Sequence, residues 1–426
     1  VLRVTSSPAL ARRLSLTNAI FLGLGSMIGA GLFAAFSPAA RAAGNGLIVG
    51  LAVAALVATV NALSTAQLAA AMPQSGGTYV YGRRVLGEWW GFLAGWGFVI
   101  GKTASCAAMA LTFAAAIAPP GWLRPVAVVA VVAIALINMA GVTRTARATQ
   151  IIVIFVLAAI AIAVVSGLSA GSDSSSRLAG FLTDGSLWSG GVYGILQSAG
   201  LLFFAFAGYA RVATLGEEVR DPSRTIPRAI IVALAVCVAV YAVVAVVLLS
   251  VLGSSAVAGS ASPVVDLAAS SDWPWAEWVV RAGAAAASLG ALLALVAGVG
   301  RTVLAMSRGG DLPAWLSAVH PRFSTPYRAE GVVAVVLVIL VSLTDLRGVI
   351  AFSSFGVLVY YFIANLSAWF QDASERRFGR VVPTLGAVLC VLLVATLPVS
   401  AIVTGVAVFV VGAVYRAIRL RRAVSA

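Results

Sequence analysis

Apolar residues in this chain fall into runs of about twenty that recur from end to end, parted by short polar segments rich in arginine. A helix rises ~1.5 Å per residue, so such a run crosses a ~30 Å hydrocarbon core with its backbone hydrogen bonds closed internally. The pattern predicts about twelve spans, near 17–41, 45–70, 89–118, 123–141, 149–168, 189–213, 229–252, 277–300, 331–344, 348–370, 383–397 and 399–415. The last two are separated only by Leu397 and Pro398, and the run at 331–344 is short. The alternating strands of a membrane barrel are missing from the pattern. The expected fold class is therefore all-α integral membrane, one transmembrane domain over 1–426. Polar stretches near 169–188, 253–276 and 301–330 read as loops or short lateral helices.

Two spans carry glycine and polar residues at mid-membrane. The first does so at Gly23, Gly25, Ser26, Gly29 and Gly31, and the sixth over 203–209. They open two successive groups of five spans, 17–168 and 189–370, followed by a C-terminal pair at 383–415. Five is odd, so the second group lies upside down relative to the first, the arrangement of an inverted-repeat transporter with a midplane site. Irregular backbone at that depth is tolerated only against protein or a wet cavity. The Gly25–Gly29 spacing alone is a helix-packing signal, yet four glycines and a serine within nine residues exceed what packing needs. Unwinding there would offer N–H groups to a carboxylate and freed carbonyls to an ammonium, both ends of a zwitterion.

Composition narrows the class. With 61% hydrophobic and 10% charged residues and a mean hydropathy of +1.05, the 426-residue chain is no ordinary soluble domain. The net charge of +14 suggests nucleic acid, but the cations cluster at the ends of apolar runs and not along one face. With the N-terminus in the cytoplasm, 22 arginines fall inside and four (Arg41, Arg124, Arg177, Arg347) outside. The positive-inside rule thus places both termini in the cytoplasm of a multi-pass inner-membrane protein. Cys106, Cys237 and Cys390 lie within apolar segments and suit neither a metal nor a disulfide framework, so no cofactor is expected. The stretch 1–13 lacks the apolar core and cleavage site of a signal peptide.

The sequence resembles the amino acid–polyamine–organocation permeases, which share the leucine-transporter-like fold, over nearly its whole length. The resemblance rests on Gly25-Ser-Met-Ile-Gly-Ala-Gly31, Pro73-Gln-Ser-Gly-Gly-Thr-Tyr79 and Trp89-Trp-Gly-Phe-Leu-Ala-Gly-Trp96. It continues through Phe203-Phe-Ala-Phe-Ala-Gly-Tyr209, Ala213-Thr-Leu-Gly-Glu-Glu-Val219, Asp221-Pro222, Ile226-Pro227-Arg228 and Met306-Ser-Arg-Gly-Gly-Asp-Leu-Pro313. It implies that Ser26, Met27, Ile28, Gly29, Ala30 and Gly31 hold the substrate carboxylate and amine. Phe206, Ala207, Gly208 and Tyr209 would line the pocket, with Phe206 an aromatic gate. Where relatives often carry an acidic residue after the aromatic-glycine pair, this chain has Ala210 and Arg211.

Four further features carry chemistry. Glu217 and Glu218, flanked by Arg220, Arg224 and Arg228, read as a cytoplasmic gate of salt bridges more readily than as acid–base catalysts. His320, the only histidine, lies in a cytoplasmic loop. Lys102, the only lysine, lies inside the third span. Gly101-Lys102-Thr103 is no phosphate loop, because Trp96 stands where the earlier glycine belongs. An intramembrane charge is a functional candidate by default. Two readings of Lys102 stand: a titratable or fixed cation that couples transport to protons, or a lysine that snorkels or is held by a structural carbonyl. Sodium coupling would need oxygen ligands from the first and eighth spans, with Ser288 the side-chain candidate, although a helix serine commonly bonds back to its own turn.

All fourteen acidic residues lie in loops or at span ends, so nothing at mid-membrane neutralises a cationic side chain. The expectation is a secondary transporter of neutral amino acids, working by alternating access with proton coupling or exchange, in contact with lipid and not with nucleic acid. A cationic amino acid or polyamine transporter is the alternative within the class, and an amino acid-binding membrane sensor without flux the alternative outside it. No convergent catalytic set marks an enzyme.

Overall fold

A computed structural model describes residues 14–73, 76–141, 146–170, 186–213 and 218–424. Among them every predicted span is helical. The first is α1 (Leu16–Met27), α2 (Ala30–Ala34) and α3 (Phe36–Ala43); the second is α4 (Leu47–Ala71). A short α5 (Thr78–Val85) then leads into α6 (Glu88–Ile117), α7 (Leu123–Met139) and α8 (Ala146–Ala170). The sixth span is α9 (Gly191–Phe206), a 3₁₀ turn (Ala207–Tyr209) and α10 (Ala210–Ala213). α11 (Pro222–Val251) follows, then two lateral helices, α12 (Ser254–Gly259) and α13 (Pro263–Ala269), in the expected polar stretch. The chain ends with α14 (Pro274–Arg308), α15 (Tyr327–Leu343), α16 (Leu346–Phe370), α17 (Val381–Thr396) and α18 (Val399–Val424).

Nine helical segments among the described residues are long and apolar enough to cross a membrane, and α7 and α17 are shorter apolar helices. Proline sets the closest boundary. Pro398 drives Leu397 out of the helical region to φ −61°, ψ 160°, so α17 stops and α18 begins two residues on. α7 and α15 pack against each other, and each has 17 residues. Exposed tryptophans stand near helix ends, where aromatic residues favour a membrane boundary: Trp89 and Trp90 open α6, Trp122 and Trp188 precede α7 and α9, Trp275 and Trp278 open α14 and Trp315 follows it.

The largest fully buried side chains include Tyr209, Tyr241, Tyr361, Phe33, Phe206 and Met27, so the tightest core surrounds the two interrupted spans. Polar pairs fasten the helices around it, as polar groups do where lipid offers no alternative partner. Ser105 and Ser353 meet at 2.7 Å between α6 and α16. Asn365 of α16 donates to Asn61 of α4 at 2.6 Å.

At the end where the chain's arginines concentrate, one buried charge cluster joins four distant segments. Asp311, in the loop after α14, accepts from Arg416 of α18, from Arg83 of α5 at 3.2 Å and from the Tyr79 hydroxyl at 2.9 Å. Arg83 also reaches Glu88 at 2.8 Å, and Arg416 lies over the Trp89 and Phe92 rings, 4.9 Å from each centroid. The side chains of Arg416 and Asp311 are only 3% and 4% exposed, whereas Glu88 is 63% exposed. Burial holds the Asp311 carboxyl above the ordinary carboxylate range, against the pull of Tyr79, Arg416 and Arg83.

Removing one partner of a buried pair leaves the other uncompensated. Asp311→Ala is therefore expected to cost about 3–5 kcal/mol, read as a lowered thermal unfolding midpoint in detergent. Glu88→Gln should cost below about 1 kcal/mol, because its carboxylate is largely solvated.

Candidate functional site

The first interruption lies at Ile28 and Gly29. Ile28 (φ −78°, ψ 85°) ends α1, and Gly29 adopts φ −150°, ψ −136° before α2 begins. The Ile28 N–H still reaches Leu24 O at 2.7 Å, but the Gly29 N–H turns to Met27 O at 3.0 Å. The Ser26 hydroxyl bonds back to Leu22 O at 2.7 Å.

The sixth span is interrupted more mildly than the expected unwinding. It tightens into a 3₁₀ turn, in which the Ala207 N–H bonds to Phe204 O. Shifting bonds from i−4 to i−3 narrows the helix and releases carbonyls without unravelling it. The reason lies across the interface. A Cβ on Gly208 would overlap the Ser26 carbonyl, and one on Gly31 would sit 2.5 Å from Ala205 Cα. The two interruptions thus cross backbone on backbone, at positions where only glycine fits.

Side chains from three other helices take up the released carbonyls. Tyr241 Oη of α11 lies 2.8 Å from Met27 O and 3.1 Å from Ala205 O, sharing its proton between the two interrupted spans. Lys102 Nζ of α6 donates to Ala207 O at 2.9 Å, and the Tyr361 hydroxyl of α16 donates to the same oxygen at 3.3 Å. Phe206 packs on Tyr241 with centroids 5.0 Å apart, and Tyr209 stacks on Tyr361 at 5.1 Å. The sequence singles out Lys102 but neither Tyr241 nor Tyr361; the signals that mark them are a lone tyrosine in the apolar run of α11 and the Tyr360-Tyr361 pair within α16.

Gly29 faces α14, where a Cβ would lie 3.1 Å from Ala291 Cβ. Ser288 of α14 is fully buried, and its hydroxyl has no hydrogen-bond partner, not even in its own turn. A small cavity between α1, α8 and α14, about 10 Å³, is lined by Gly25, Ile28, Val153, Val156 and Ala287. A second, about 20 Å³, lies beyond the other interruption among Thr65, Thr78, Phe98, Ala210, Thr302 and Tyr360. Both are far too small for an amino acid; the second, lined by hydroxyls, has room for about one water, whereas the first is lined by apolar side chains.

The expected salt-bridge gate takes a different form. Glu217 lies outside the described residues. Glu218, Arg220 and Arg228 form no ion pair among the described residues, and the pair in this segment is Arg224–Asp221 at 4.0 Å, both exposed. Backbone does the joining instead. The Leu14 N–H donates to Glu218 O and the Arg220 N–H to Leu14 O, each at 3.0 Å, stitching the stretch before α1 to the linker ahead of α11. His320 organises its own turn, its Nδ1 accepting from the Arg322 and Phe323 N–H groups at 3.2 and 3.4 Å.

Residues 14–418 match the amino acid permease family. The chain belongs to that family. Against an uncharacterized transporter of Mycobacterium tuberculosis the permease is 54% identical over 403 residues, covering 95% of this chain and 90% of the other. It is 26% identical over 423 residues to a branched-chain amino acid permease of Bacillus subtilis, 91% of this chain and 89% of that one. It is 28% identical over 391 residues to cationic amino acid transporter 7, chloroplastic, of Arabidopsis thaliana, 85% and 66% of the two chains. The resemblance to amino acid–polyamine–organocation permeases is thereby shown, and the chain is a multi-pass membrane transporter by family.

The crossing sets a sharp test. Gly208→Ala should abolish uptake of substrate in reconstituted vesicles and lower the unfolding midpoint, because its Cβ has no space beside Ser26. Gly298→Ala, in the interior of α14 with nothing within 4 Å, should keep uptake and gain about 0.5–1 kcal/mol.

Proposed function

We propose that this permease is a secondary transporter of amino acids, neutral ones foremost, that works by alternating access around the crossing of its first and sixth spans. The observation that carries the reading is the glycine-dependent backbone contact between the two interruptions. Two helices that touch without intervening side chains can rock against each other while both present backbone groups to one small ligand.

In this reading the Ala30 and Gly31 N–H groups receive the substrate carboxylate, with Ser26, Met27, Ile28 and Gly29 forming the wall beside them. Phe206, Ala207, Gly208 and Tyr209 form the opposite wall, with Phe206 as the gate. The half 17–168 and the half 189–370 are inverted repeats, and 383–415 is a peripheral pair. Both termini face the cytoplasm of the inner membrane, in keeping with the arginine asymmetry. The Leu14–Val219 bridge closes the cytoplasmic side.

Proton coupling or exchange drives the cycle. Lys102 is the first candidate for the coupling group. Ser288, with its unpartnered hydroxyl beside the first interruption, is the candidate if sodium takes part. The relatives named for cationic amino acids favour a second reading, a cationic amino acid or polyamine carrier.

Uptake of the twenty labelled amino acids into proteoliposomes decides among these. We expect a neutral amino acid to accumulate in sodium-free buffer under an inward proton gradient, or against a preloaded amino acid. Binding without flux would instead identify a sensor, and flux confined to sodium gradients would move the coupling role to Ser288.

A further inference from the structure

Lys102 places a positive charge where a substrate ammonium would otherwise bind. Its Nζ and the Tyr361 hydroxyl both donate to Ala207 O, so the two lone pairs of that carbonyl are engaged. α6 runs beside both interruptions. Two helical turns past Lys102, the Met109 Cε lies 3.8 Å from where a Gly29 Cβ would be. Lys102 is 4% exposed and belongs to no ion pair among the described residues.

The described carboxylates sit in loops, in a lateral helix, or at the caps and first turns of helices. None stands at mid-membrane to offset a second cation. Toward the cytoplasm the sixth span adds Arg211, within electrostatic reach of Arg301 and Glu218. Arg301 is in turn within electrostatic reach of the buried Glu330, so charges of both signs stand there in fixed pairings and neither glutamate stands beside Lys102.

We propose that Lys102 sets the charge selectivity of the transport site, its ammonium on the Ala207 carbonyl excluding substrates with a net positive charge and admitting zwitterions with neutral or acidic side chains. The inference rests on the reading of the crossing as the amino acid site. Like charges repel far more strongly in a dry protein interior than in water, and salt does not screen them there. A zwitterion brings one charge of each sign, so with its carboxylate on the first span its attraction to Lys102 offsets the repulsion of its ammonium. Arginine, lysine and polyamines bring a surplus cation and find no anion to receive it. The cationic-transporter relatives make this a real choice for the chain and not a formality.

A residue that only braced the carbonyl would be replaceable by any donor of similar length without changing which substrate charge is accepted. The test therefore compares the full-length chain with Lys102→Gln, which keeps a donor without charge, and Lys102→Arg, which keeps the charge. Uptake of the best neutral substrate into proteoliposomes is challenged with leucine, glutamate, arginine, lysine and putrescine. In wild type and Lys102→Arg the three cations should compete at least tenfold more weakly than leucine. In Lys102→Gln that gap should close by at least tenfold.

A folded Lys102→Gln with the wild-type ranking would overturn the proposal. So would wild-type uptake that arginine inhibits as well as leucine does, a readout that holds even if Lys102→Gln does not fold. Uptake confined to arginine or lysine would overturn the charge assignment and leave the permease reading standing. Absence of both binding and uptake for all amino acids would overturn the two together.

Discussion

Everything at the centre of this molecule follows from the absence of two methyl groups. Gly208 lies on the Ser26–Met27 backbone and Gly31 on Ala205, so two spans meet at their main chains. Side chains normally hold helices 8–10 Å apart. Here that spacing collapses locally, and the backbone groups released by the interruptions must find partners elsewhere. Tyr241, Lys102 and Tyr361 are those partners, contributed by α11, α6 and α16. The crossing thus dictates which side chains the surrounding helices carry at mid-membrane.

The same requirement explains the uneven quality of polar pairing. Around the crossing, carbonyls are satisfied by long side chains reaching in. Among the described residues the hydroxyls of Ser288, Thr65 and Tyr360 are buried without partners, as is that of Tyr209 at the crossing itself. An unsatisfied buried hydroxyl is costly, and the first three lie near the two small spaces on either side of the crossing.

Much of the architecture was legible in the chain because lipid leaves so little choice. Runs of apolar residues became helices, Pro398 separated the final pair, and the glycines at 25–31 marked the first interruption. The sixth span was read as broken when it is only tightened, since a shift of one residue in hydrogen-bond spacing leaves no mark in composition. Charge partnerships were the least legible. Arg83 and Glu88 are far in the chain from Asp311, and Asp311 from Arg416; only the fold brings them into one cluster around the buried Asp311–Arg416 pair. The glutamates and arginines after the sixth span invited a reading in side-chain charges, while the contact there is made by main-chain atoms of Leu14 and Val219's neighbours. Lys102 stood out by its chemistry, but no sequence feature pointed to the Ala207 carbonyl.

The paired short helices have an effect outside the protein. α7 and α15, with 17 residues each, span roughly 25 Å, several Å less than an average hydrocarbon core. Because they lie together, their deficit falls on one flank, apart from that of the 16-residue α17. A short span is accommodated by local thinning of the bilayer or by flanking side chains that reach to the interface. A change in membrane thickness would therefore bear more on these short helices than on the long ones beside them.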